Sequence, residues 1–108
     1  MSQSLVQIYV QIIFSATNRA PFLSDVPFRE RVQPQLAGIC NKQDCPAIIV
    51  GGVADHVHLL CTLGKQIDIS SLIREIKRDS SSWIKEHHPA LSAFYWQSGY
   101  GAFSLSRT

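Results

Sequence analysis

Residues 47–63 read AIIVGGVADHVHLLCTL. Two apolar runs, 47–53 and 56–63, flank Ala54–Asp55, and so short a break between strand-like runs predicts a hairpin. The first run ends in a Gly51–Gly52 bend. In the second, Val57, Leu59, Cys61 and Leu63 fall on one face of a strand, and His56 and His58 fall on the other, because side chains alternate with a period of two.

Three further segments surround this hairpin. Residues 5–14 (LVQIYVQIIF) also alternate: Val6, Ile8, Val10, Ile12 and Phe14 against Gln7, Tyr9 and Gln11. That is a strand with one buried face. Residues 15–21 read as a loop. Residues 26–42 predict a helix, with Asp25 as its cap, Pro27 in its first turn, and Phe28, Val32, Leu36, Ile39 and Cys40 as its apolar stripe. Pro34 within it predicts a kink or a late start, since proline removes a helix hydrogen bond and clashes one turn back. Residues 68–87 give the clearest helical periodicity: Ile69, Leu72, Ile73, Ile76, Ser80, Trp83 and Ile84 share a face, Asp68 is placed to cap it, and Pro89 stops it. Residues 94–105, aromatic and punctuated by glycine, read as a last strand. The order β-α-β-β-α-β predicts an α+β, ferredoxin-like fold: one antiparallel sheet with two helices on one face.

At 108 residues the chain is read as a single domain spanning 1–108. It is 45% hydrophobic and 17% charged, with a net charge of +2. That excludes a disordered or histone-like chain, so any nucleic-acid surface must come from local clustering of charge. Three cysteines without a C-x-x-C pair argue against a disulfide framework or a zinc ribbon. No segment reads as a signal peptide or a membrane span, and a cytoplasmic location is the expectation.

Two features carry chemistry. On a strand, His56 and His58 have Cα atoms about 6.5–7 Å apart on one face, so their imidazoles can converge on one divalent metal ion. Asp55 can serve the turn or orient a histidine from behind. On the helix 68–87, Arg74, Lys77, Arg78 and Lys85 line one flank and Asp68, Glu75, Asp79 and Glu86 the other. The basic flank is a candidate for phosphate contacts in DNA. Tyr9, Tyr95, Trp96 and Tyr100 could stack on bases or serve the core. Trp83 reads as core, and His87 and His88 as residues closing their helix.

The stretch GGVADHVHLL (Gly51 to Leu60) resembles the HUH motif of the small single-tyrosine transposases of the insertion-sequence two-hundred type, relatives of the REP-associated tyrosine transposases. QIYVQIIFSATNR, ISSLIREIKRDSSSWIKEH and FYWQSGYGAFSLS resemble, in order, that family's first strand, second helix and last core strand. The resemblance implies a homodimer acting on single-stranded or hairpin DNA. It implies that His56 and His58 hold Mg2+ or Mn2+, and that a tyrosine attacks the scissile phosphate to leave a covalent phosphotyrosine. In the family that tyrosine lies on a further helix, beyond the segment matched by GYGAFS. Tyr9, Tyr95 and Tyr100 do not match it. The expectation is therefore a transposase core that binds metal and DNA but lacks the cutting group. Two alternatives are a non-catalytic nucleic-acid-binding module or repressor on the same fold, and a metal-dependent phosphodiesterase using water.

Overall fold

Alternation in the first segment produces β1, Gln7–Ser15, with Val10, Ile12 and Phe14 buried and Gln11 and Ile13 exposed. The structure, a computed structural model, describes residues 7–16, 24–91, 94, 96–97 and 101–107. The elements that follow β1 are α1 (Val26–Lys42), β2 (Ala47–Gly52), β3 (His56–Thr62), α2 (Ile69–His87), a 3-10 turn at Pro89–Leu91, and β4 (Gly101–Arg107). The strands form one sheet in the order β2-β3-β1-β4, and every pairing is antiparallel. This is the ferredoxin-like arrangement.

One face of the sheet is covered. Val57, Leu59 and Cys61 of β3 join Val10, Ile12 and Phe14 of β1 in a single core with Phe28, Val32, Leu36 and Cys40 of α1 and Leu72, Ile73, Ile76 and Ile84 of α2. Burying each large aliphatic side chain stabilises by about 1.5–3 kcal/mol, so packing rather than exposed ion pairs holds the helices in place.

The caps work as the sequence implies. The Asp25 carboxylate accepts from the Phe28 N–H at 3.5 Å, and the Asp68 carboxylate from the Ser71 N–H at 2.7 Å. Pro34 does not delay α1, which starts at Val26 and runs through it. The four-residue spacing of Phe28, Val32, Leu36 and Cys40 anchors both sides of the proline, and that burial exceeds the roughly 3 kcal/mol that an interior proline costs.

The last strand is shorter and later than its aromatic content suggests. Phe94 and Trp96 precede it and serve the core. Trp96 meets Ala16 in an isolated bridge, packs edge-on against Phe14 with centroids 4.6 Å apart, and donates its indole N–H to the buried Ser80 hydroxyl at 3.0 Å. Tyr95 and Tyr100, and most of the expected loop 15–21, lie outside the described residues. All three cysteines are free and buried. Among the described residues no helix is long and apolar enough to cross a membrane.

Candidate metal centre and nucleic-acid interface

The open face of the sheet carries the histidines. Cα partners Ser15↔His56 and Ile13↔His58 align β1 with β3, so Ser15 and Ile13 flank the pair on one side. Gly51 pairs with His58 on the other. The hairpin turn is as short as the sequence implies: the Val53 N–H donates to the His56 carbonyl at 3.0 Å, leaving Ala54 and Asp55 as a two-residue loop. With β3 starting at His56 and its apolar residues facing the core, both histidines project outward. Each is half-buried.

Their ring centroids are 6.2 Å apart. With metal–nitrogen bonds of about 2.1 Å, two imidazoles can share one ion up to a centroid separation of roughly 6.5 Å. At 6.2 Å the pair lies just inside that limit. Asp55 sits behind it. Its carboxylate lies 2.9 Å from Nδ1 of His56. A carboxylate only accepts, so in the neutral ring Nδ1 carries the proton and Nε2 keeps the lone pair that a metal needs. Gly51 supplies room: a Cβ there would lie 2.7 Å from Nε2 of His58. Among the described residues, no three His, Cys, Asp or Glu side chains form a group that could hold an ion. The other coordination positions would fall to water or phosphate oxygens.

The basic flank of α2 lies on the helix layer, across the sheet from the histidines, and its four members differ. Arg74 is exposed, with one long contact to the Ser71 hydroxyl at 3.4 Å. Arg78 is exposed but held by Asp79 and Glu75; its hydrogen bond with Asp79, and then the charges of both carboxylates, raise its pKa. Lys77 donates to the Gln97 carbonyl at 2.9 Å and lies 5.9 Å from the Phe14 ring centre. Burial pulls its pKa below the ordinary lysine value. Lys85 is half-buried. Helical projection groups the four on one flank, but it does not reveal that Lys77 is tied to the Gln97 carbonyl, ahead of β4.

A strand pair that presents two histidines beside a glycine, on the open side of a ferredoxin-like sheet, can be compared with known proteins. Residues 4–108 match the family described as Transposase IS200 like. The chain belongs to this transposase family. A crystal structure assigned to a transposase of Deinococcus radiodurans R1 superposes with a TM-score of 0.88 at 18% identity, covering 97% of this chain and 86% of that one. A REP-associated tyrosine transposase solved bound to a REP hairpin gives a TM-score of 0.65 at 18% identity; all of this chain covers 64% of that protein. No curated protein sequence matches. At such identities the two structures establish a shared fold.

Proposed function

We propose that this transposase-family chain binds hairpin-bearing or single-stranded DNA and positions its phosphate at a divalent ion, Mg2+ or Mn2+, held by His56 and His58. The observation that carries this reading is the same-face histidine pair, with Asp55 behind His56 at 2.9 Å and the Gly51 backbone beside His58. The REP-bound relative supports hairpin DNA as the ligand class. When bound there, a divalent ion would polarise the scissile phosphate and offset the charge that develops on it. Asp55 fixes the His56 tautomer, and Gly51 leaves space for the His58 ring. Arg74 and Arg78 on the opposite layer suit more distant phosphates of a strand that wraps the domain. Two copies act together as a homodimer in this reading.

The chemistry of strand cleavage in the family needs a tyrosine hydroxyl in line with the phosphate. Tyr9 shares the open face, but it pairs with Thr62, four residues along β3 from His58. At about 3.4 Å per residue that is well beyond reach of a phosphate on the histidines. Tyr9 is therefore not placed to act as the nucleophile, and in this reading residues 1–108 contribute DNA binding and metal ligation.

The test combines manganese calorimetry with DNA binding. His56→Ala and His58→Ala abolish manganese binding, while hairpin binding without metal persists. Manganese binding unchanged by both substitutions removes the metal assignment. A polypeptide of residues 1–108, incubated with labelled hairpin DNA and manganese, gives no covalent band on a denaturing gel. A band lost on Tyr9→Phe, Tyr95→Phe or Tyr100→Phe would show that these residues carry a nucleophile.

A further inference from the structure

The C-terminal end of α2 carries an arrangement that the metal site does not use. Trp83 and His87 lie one helical turn apart, and their rings stack with centroids 4.3 Å apart and planes 15° from parallel. Phe28 of α1 is stacked on the same tryptophan at 5.7 Å and 20°. The Arg31 guanidinium lies 5.5 Å from the Trp83 ring centre and 5.9 Å from that of Phe28. Phe28 is buried and Trp83 half-buried, whereas His87 and Arg31 are exposed. The ladder therefore runs from the core to solvent and ends in an imidazole with one face on Trp83 and the other in water.

Two further details bear on what this end of the helix can do. Nδ1 of His87 lies 2.9 Å from the Trp83 carbonyl, which fixes the ring in the stacked orientation and leaves Nε2 directed away from the helix. Arg31 makes no ion pair among the described residues, so its charge is available beside the stack. The location is also suggestive. Phe28 is followed by Arg29, whose guanidinium donates to the Gly52 carbonyl at 3.4 Å, and Gly52 is the last residue of β2 before the loop to His56. The stack thus lies at the His56 end of the sheet, on the helix layer.

We propose that His87, stacked on Trp83, whose ring Arg31 also approaches, is a platform for one unpaired base of a DNA strand that leaves the histidine face around this end of the sheet. The inference rests on the reading that the chain engages single-stranded or hairpin DNA. A base laid on His87 extends the existing ladder by one ring, and Arg31 meets the adjoining phosphate.

The test measures anisotropy at fixed salt with two probes: a hairpin carrying a thymidine flank, and the same hairpin with an abasic flank. His87→Ala weakens binding to the thymidine probe about tenfold and leaves the abasic probe unchanged. His87→Phe keeps a stacking ring but loses the bond to the Trp83 carbonyl, and it restores affinity to within about threefold of wild type. Equal binding by wild type and His87→Ala overturns the platform, as does an equal loss on both probes or a failure of His87→Phe to rescue. Wild type that binds neither probe overturns the DNA-binding reading itself and the platform with it, so the two failures are told apart by the wild-type arm.

Discussion

The Gly51 backbone lies against the His58 imidazole so closely that a Cβ at residue 51 would stand 2.7 Å from Nε2. The contact joins adjacent strands at a paired register position. Gly51→Ala must therefore move the ring, and the ring is free to swing toward solvent. The expected outcome is a fold with nearly unchanged thermal stability and manganese affinity lowered about tenfold or more. Calorimetry beside a thermal melt checks both halves. Full manganese affinity in a well-folded Gly51→Ala protein would show that the His58 orientation does not matter to the ion.

Asp55 controls the other histidine. Asp55→Ala leaves the His56 tautomer unfixed and weakens manganese binding about 10- to 100-fold. Asp55→Asn keeps a hydrogen-bonding group of the same shape and falls between the two. Affinities ranked otherwise would place Asp55 in the turn alone.

How much of this was legible in the sequence divides along a physical line. The bounds of α1 and the cap of α2 depend on local signals, Asp25 and Asp68 before periodic apolar residues, and these carry over directly to the structure. The outward direction of His56 and His58 follows from alternation and needs no tertiary information. The contact of Gly51 with His58 depends on which residues pair across the hairpin, and Gly51–Gly52 reads in sequence only as a bend. Phe94 and Trp96 read as strand residues because aromatic side chains favour strands, yet packing against Phe14 and Ser80 recruits them to the core first. In sequence Trp83 reads as core and His87 as a residue that closes its helix. Their four-residue spacing could have shown that they stack.

The basic flank separates in a salt titration. Arg74→Ala lowers the salt slope of hairpin binding by about one unit if its side chain meets a phosphate. Lys77→Ala, by contrast, lowers thermal stability, because it removes a bond to the Gln97 carbonyl. A triple Arg74, Lys77, Arg78 alanine variant with unchanged affinity and slope would move the DNA path elsewhere.

Ser80 is the buried polar group that ties α2 to the segment before β4. It accepts from Trp96 and donates to the Ile76 carbonyl. Ser80→Ala removes the acceptor that faces the indole and should destabilise by about 1–2 kcal/mol, measured by urea denaturation. A neutral result would mean that ring packing alone holds Trp96.

Hydrogen bonds from Ser71 hold the Asp68 carboxyl below the usual carboxylate range. A depressed folded-state pKa contributes stability that is present above the unfolded value and is lost as pH falls through the folded one. Asp68→Ala should lower the melting temperature by a few degrees at neutral pH. The gap to wild type should close in acid, below pH of about 4. A gap independent of pH would assign the effect to helix propensity instead of the charged cap.

Only Ala54 and Asp55 lie inside the Val53–His56 pair that closes the hairpin between β2 and β3, and the strand that follows changes face at every residue. One residue added or lost there would exchange the two faces of β3, turning the histidines into the core and Val57, Leu59 and Cys61 into water. Inheritance of this site is thus a matter of chain length before it is a matter of residue identity. Related genes should tolerate substitutions at Val53 and Ala54 while rejecting insertions and deletions between Gly52 and His56, and a reading-frame-preserving codon gain at that point should be as damaging as loss of a histidine.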